Sequence, residues 1–158
     1  MSPARLAAWS ALAGVFIPVM AVLNARLGRA LGEPLHAPVV LFAVGLAIVT
    51  ISALAMTGTL PSPATLVRAA PTDFAGGAIV AFYIVSVTLL APRFGVGNTI
   101  LFVMTAQLFS SAVIDHFGLF GAALRRMTPM RAAGLALLLA GLWLTQVRGD
   151  VAGPVAPE

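Results

Sequence analysis

Five long apolar stretches dominate this chain, and they constrain its fold more than any other feature. They cover residues 6–23, 37–56, 74–91, 97–114 and 130–147. A helix that crosses the hydrocarbon core of a bilayer needs roughly 20 mostly apolar residues, so each stretch is long enough to span it. Only 9% of the residues are charged, against about 25% in a soluble domain. The sequence therefore predicts an all-α fold, a polytopic transmembrane helix bundle of about five spans.

The segments between these stretches predict a single transmembrane domain over residues 1–148. Turn signals such as Pro61-Ser62-Pro63 separate the spans, and Thr72 or Asp73 is predicted to cap the third span. A cleaved signal peptide is disfavoured for the first stretch, because no clean cleavage site follows it and four more spans do. The tail 149–158 contains two prolines and is predicted to be disordered.

Composition argues against several classes of function. All nine basic residues are arginines at or near the ends of apolar stretches, which is typical of membrane anchoring; no basic stripe indicates a nucleic-acid partner. The chain has no cysteine, and its two histidines, His36 and His116, lack metal-ligand spacing. We find no nucleotide-binding motif and no catalytic constellation, so we expect no metal, no cofactor and no enzymatic activity.

The first span carries a row of small residues on one helical face. Steps of three and four residues, with Pro18 in the same register, place this row along a helix. In lipid, helices associate through close backbone contact over small side chains, so we expect this face to pack against other helices. The row comprises Ala7, Ala11, Gly14, Ala21, Ala25 and Gly28.

A second row, in the fourth span, is polar. Gln107, Ser111 and Asp115 lie at positions i, i+4 and i+8, so they share one face, which we expect to point into the bundle or a cavity. Gln107 is equally suited to a helix contact and to lining a substrate pathway. Asp115 has three alternatives: a structural role such as pairing with an arginine, a substrate or proton role, or plain exposure at the membrane surface.

Three further polar residues lie in or near the spans. Asn24 and Arg26 follow the first apolar stretch without a turn signal before Gly32, so the helix can continue to about Leu31. Arg26 could snorkel to the interface, pair with Asp115 or attract an anionic substrate. Tyr83 is the only tyrosine and lies in the middle of the third span; its hydroxyl needs a partner or a water-filled cavity.

Several short motifs, in this order, give the chain a family resemblance. They are Asn24-Ala25-Arg26-Leu27-Gly28, Gly76-Gly77, Phe82-Tyr83, Ala91-Pro92-Arg93-Phe94-Gly95, Gln107-Leu108, Asp115-His116-Phe117-Gly118, and Arg131 with Gly134 and Gly141. Together they resemble the small YdcZ-like inner-membrane proteins of the drug/metabolite transporter superfamily. The resemblance extends over about residues 6–147, nearly the whole chain.

The resemblance implies a multi-pass protein of the bacterial inner membrane that exports a small molecule. Larger relatives have ten helices in two inverted halves, and this chain is the size of one half, which implies a homodimer with substrate at the interface. An antiparallel homodimer is one option. Related small multidrug resistance proteins carry a glutamate in the first helix; the first span here has no acid, which argues against proton coupling through such a residue.

The arginines also bear on orientation. With five spans, Arg5, Arg68, Arg125, Arg126 and Arg131 lie on the side of the N-terminus, and Arg26, Arg29, Arg93 and Arg148 lie on the other. Five against four is a weak bias that permits insertion both ways. If Arg26 and Arg29 are held in the bundle, five against two favours an internal N-terminus.

The leading hypothesis is therefore a secondary transporter of a small metabolite or drug-like molecule, which acts as a dimer by alternating access. Its expected pathway residues are Asn24, Arg26, Tyr83, Gln107, Ser111 and Asp115. The alternatives are a non-transporting accessory or assembly subunit and a small channel. The expected partners are the lipid bilayer, a small-molecule substrate and a second copy of the chain.

Overall fold

The fold is helical throughout the part of the chain that the computed structural model describes, residues 2–147, and that part contains no strand. Six α-helices are joined by short connections, two of which contain a turn of 3₁₀-helix, Pro71–Phe74 and Leu119–Gly121. The helices are α1 (Pro3–Ala30), α2 (His36–Thr57), α3 (Pro63–Leu66), α4 (Ala75–Phe94), α5 (Val96–Phe117) and α6 (Pro129–Val147). The predicted all-α class is confirmed, and the tail predicted to be disordered lies outside the described residues.

Four of the described helical segments are long and apolar enough to cross a membrane. They are Pro3–Ala30, His36–Thr57, Pro71–Phe94 and Val96–Phe117, and each contains one of the first four predicted spans. The fifth predicted span corresponds to α6, which is 19 residues long and has Arg131 close to its start. Because α6 is not among the four, its crossing of the membrane stays a prediction.

Helix α1 is longer than the first apolar stretch. Ser2 Oγ accepts a hydrogen bond from the Arg5 N–H at 3.4 Å, and the helix continues for 28 residues to Ala30, as the missing turn signal predicted. At 1.5 Å per residue this is about 42 Å, more than the roughly 30 Å of a hydrocarbon core. A Cβ on Gly28 would lie 3.0 Å from Pro34 Cα, so glycine lets the returning chain approach α1 closely.

The third and fourth spans differ at their ends from the prediction. Asp73 does not cap the third span directly; its Oδ2 accepts from the Ala70 N–H at 3.2 Å and so closes the 3₁₀ turn before α4. The predicted break at Ala91–Gly95 shrinks to one residue. Pro92 lies within α4, and Gly95, with φ of 89°, separates α4 from α5. Pro92 removes one backbone N–H donor from the last turn of α4.

The first of two compact units extends to Thr99 and contains α1 to α4. Helix α1 contacts both α2 and α4, and α2 contacts α4. The buried apolar residues are mostly small or β-branched, as close helix packing in lipid requires: Ala21, Ala37, Ile84, Val87 and Ala91. The large apolar side chains of α2 point outward, for example Leu46 at 69% exposed, which suits a helix facing lipid.

The small-residue face of α1 is buried only in its C-terminal half. Ala21 and Gly28 are buried, whereas Ala7, Ala11 and Gly14 are exposed. The packing prediction is therefore confirmed for one half of the face. The other half has no covering helix in the described chain.

The second unit begins at Ile100 and contains most of α5, together with α6. Two hydrogen bonds fasten the connection between these helices to the end of α5. The Arg125 N–H donates to the Asp115 carbonyl oxygen at 2.7 Å, and the Met127 N–H donates to His116 Nδ1 at 2.9 Å. They fix the connection that leads into α6.

Candidate functional site

A buried polar pair joins α1 to α4 in the first unit. Asn24 is 5% exposed and Thr88 is 2% exposed, and Asn24 Nδ2 donates a hydrogen bond to Thr88 Oγ1. Each residue lies six positions before the last residue of its helix, Ala30 or Phe94. The pair therefore joins the C-terminal parts of the two helices.

The hydrogen bonds of Thr88 fix the orientation of the Asn24 amide. The Thr88 hydroxyl donates to the Ile84 carbonyl oxygen at 2.8 Å, so its oxygen is left to accept, and only the amide nitrogen of Asn24 can donate to it. Asn24 Oδ1 is consequently turned away from Thr88. It is buried and has no hydrogen-bond partner among residues 2–147, a condition that costs about 1–3 kcal/mol.

An apolar cavity of about 290 Å³ lies between α1 and α2 and is widely open at the surface, with Asn24 in its wall. Of the seven residues that line it in the described part of the chain, six are apolar: Met20, Leu23, Leu27, Val40, Leu41 and Val44. Small-molecule sites are commonly apolar clefts of about 300–1,000 Å³ with a few placed polar groups. This cavity is at the low end of that range and has one such group.

The hydroxyl oxygen of Tyr83 is a second buried polar atom, after Asn24 Oδ1, that has no partner in the described part of the chain. The residue is half-buried in α4, and its hydroxyl has no hydrogen bond to any described residue. The sequence predicted that this hydroxyl needs a partner or a wet cavity. Tyr83 does not line the cavity that contains Asn24, so its place in a substrate pathway stays a prediction.

Arg26 lies on a different face of α1 from Asn24. Residues two positions apart in an α-helix point in directions about 200° apart around the helix axis. It is exposed and is absent from the cavity wall. Exposure is what snorkelling to the interface requires, and it supports that alternative among the three. Attraction of an anionic substrate by Arg26 stays a prediction.

The polar row of α5 is divided between exposed and paired residues. Gln107 and Ser111 are exposed, and the Ser111 hydroxyl donates to the Leu108 carbonyl oxygen at 2.9 Å. Asp115 Oδ2 accepts from Arg131 Nη2 at 2.8 Å in an ion pair whose side chains are 31% and 33% exposed. The structural alternative for Asp115 is thus supported, with Arg131 as its partner. The pathway roles of Gln107 and Ser111 stay predictions.

Sequence reasoning missed three participants in these sites: Thr88, Arg131 as the partner of Asp115, and His116. Thr88 gave no signal, because threonine in an apolar helix usually bonds only the carbonyl four residues before it. Arg131 was visible as the one charge inside the fifth apolar stretch. Its distance of 16 residues from Asp115, across the connection between α5 and α6, hid the pairing. Across residues 2–147, no group of three or more acidic or histidine side chains could hold a metal ion.

Comparison with known protein families gives a match that covers most of the chain. Residues 6–144 match the model of a family described as putative inner membrane exporter, YdcZ. No curated protein and no solved structure matches the chain significantly.

Proposed function

The chain belongs to the YdcZ family, and from this premise we propose that it is a secondary transporter of a small metabolite or drug-like molecule. Its place is the bacterial inner membrane, in keeping with its apolar helices of membrane length. We propose a secondary transporter, and not an enzyme or a pump, because the sequence offers no nucleotide-binding motif and no catalytic set.

The observation that carries this proposal is the buried Asn24 amide beside an apolar cavity in the first unit. Uncompensated polar atoms inside a membrane protein are costly, and they commonly mark a substrate pathway. Asn24 Oδ1 is such an atom, and it belongs to a residue in the wall of an apolar cavity. A purely structural helix contact would need no cavity beside it.

We propose further that the transporter works as a homodimer by alternating access. The chain is the size of one half of a ten-helix transporter, and inverted repeats of that kind place substrate between the halves. The exposed half of the small-residue face, with Ala7, Ala11 and Gly14, suits close contact with a second copy. The near balance of arginines is compatible with an antiparallel pair.

Flux into liposomes that contain only this protein tests the proposal. We expect saturable uptake of at least one compound from a metabolite panel. Tyr83→Phe and Gln107→Ala should each lower the rate by about two- to tenfold if their polar groups bind substrate, since one hydrogen bond is worth about 0.5–1.5 kcal/mol. Leu46→Ala, on the outward face of α2, is the control and should leave the rate unchanged.

The alternative functions give different results in the same experiment. An accessory subunit would show no flux with any class of compound. A channel would show fast flux that does not saturate. Saturable flux that neither Tyr83→Phe nor Gln107→Ala changes would retain the transporter and remove both residues from its pathway.

A further inference from the structure

We propose that the cavity between α1 and α2 binds a small uncharged molecule with an apolar body and a hydrogen-bond donor, which Asn24 Oδ1 accepts. The physiological meaning of this site rests on the proposed transport function. Its chemistry is argued from the cavity and from the hydrogen bonds around Asn24.

The apolar body follows from the cavity wall. Six of the seven lining residues of the described chain are leucine, valine or methionine, and such a wall offers a ligand dispersion contacts and no charge. A ligand that fits about 290 Å³ is small, since the usual range for ligand sites begins near this volume.

The donor on the ligand follows from the orientation of Asn24. The Thr88 hydroxyl donates its hydrogen to the Ile84 carbonyl oxygen. The Thr88 oxygen therefore acts as an acceptor towards Asn24, and the amide nitrogen of Asn24 donates to it. The group left over is an acceptor, Oδ1, which can bind only a molecule that donates N–H or O–H. A ligand with a carbonyl or ether oxygen in that place would leave two acceptors facing each other.

The third property of the ligand, its lack of charge, follows from the absence of charged side chains in the cavity wall. None of the seven lining residues is ionisable, and Arg26 is exposed on another face of α1. An ionised ligand would lose its hydration without gaining a counter-charge. Uncharged alcohols, phenols and amides therefore fit this cavity better than the anionic substrates that Arg26 suggested.

Access to Oδ1 requires a small side-chain movement, because the atom is buried. Met20 forms part of the same wall, and methionine is unbranched and adaptable. A rotation of Met20 is one movement by which a ligand donor would gain access to the amide.

A matched set of probes tests the site in purified protein held in lipid nanodiscs. The probes are 1-naphthol, which donates one hydrogen bond; 1-methoxynaphthalene, which has the same ring system and no donor; and 1-naphthoate, which is charged. Titrations monitored by thermal shift and by probe fluorescence should show saturable binding of 1-naphthol, with an affinity about tenfold higher than for the ether. We expect 1-naphthoate to bind more weakly than 1-naphthol.

Two variants then locate the binding. Asn24→Leu removes the acceptor at similar volume, so 1-naphthol should fall to the affinity of the ether while the ether keeps its own. Val44→Trp fills the cavity and should abolish binding of both probes. Val49→Trp, on an exposed part of α2, is the matched control and should bind as the natural protein does.

Either of two results would overturn the proposal: equal or unsaturable binding of 1-naphthol and the ether to the natural protein, or unchanged binding of 1-naphthol in Val44→Trp. The second result remains decisive if Asn24→Leu fails to fold. Binding as expected without any flux in liposomes would remove the transport function and leave the site. Saturable flux that Val44→Trp does not alter would remove the site and leave the transporter.

Discussion

The two compact units solve the problem of polar side chains in an apolar chain in opposite ways. The first unit buries a neutral pair, Asn24 and Thr88, and leaves one acceptor oxygen without a partner in the described part of the chain. The second unit places a charged pair, Asp115 and Arg131, at the end of α5 and the start of α6, where about a third of each side chain is exposed. In the charged pair, the carboxylate of Asp115 is paired with the guanidinium of Arg131. In the neutral pair, the acceptor Asn24 Oδ1 has no partner among the described residues.

This difference between the two polar pairs indicates which unit is the better candidate for a substrate contact. Charges survive near helix ends because water and lipid head groups still solvate them, and a matched pair there is explained by structure alone. A neutral acceptor that is buried and unpaired costs about 1–3 kcal/mol and has no structural benefit of its own. The first unit is therefore the better place for a substrate contact, and the second is the better place for a fastening between helices.

Introducing an acidic side chain into the neutral pair should produce the largest loss of stability. Asn24→Asp puts a carboxyl group at a buried position. Ionising it there costs several kcal/mol, and keeping it protonated at neutral pH also costs stability, because the unfolded chain would ionise freely. We expect at least 3 kcal/mol of destabilisation at neutral pH, measured by unfolding in mixed detergent micelles. It should diminish at acidic pH, because protonation removes the buried charge.

Asp115→Asn is the corresponding exchange in the second unit. It keeps a neutral acceptor for Arg131, at a site that water already reaches, so we expect a loss below about 1 kcal/mol. Equal losses in Asn24→Asp and Asp115→Asn would show that the two environments do not differ as the structure indicates.

A smaller effect should follow from removing the partner of Asn24. Thr88→Val deletes the acceptor of the amide nitrogen and leaves the whole amide unpaired, which should cost about 1–3 kcal/mol. The double variant Asn24→Leu with Thr88→Val removes both polar groups and should regain much of this loss. Strictly additive losses, measured by the same unfolding assay, would contradict a direct hydrogen bond between the two side chains.

The sequence predicted the helices better than it predicted the sites. The first four apolar stretches all lie in membrane-length helices, because long runs without charge admit few other structures. Asn24 and Asp115 stood out as polar residues beside apolar ones. Their partners did not, since Thr88 lies 64 residues from Asn24 and only the packing of α1 on α4 brings them together. The sequence also did not predict which half of the small-residue face of α1 is buried, because that depends on where α2 and α4 pack against α1.

The smallest effect should come from the ion pair itself. Asp115→Ala, Arg131→Ala and the double variant form a cycle whose coupling energy we expect to be about 1 kcal/mol or less, as for other solvent-accessible pairs. It should fall further as ionic strength rises, because salt screens charges that water reaches. A coupling of 3 kcal/mol that salt does not change would mean that the pair is shielded in the assembled protein, as it would be if a second copy covered this end of α5. The contrast between the two units would then concern hydrogen-bond satisfaction alone, since both pairs would be dry.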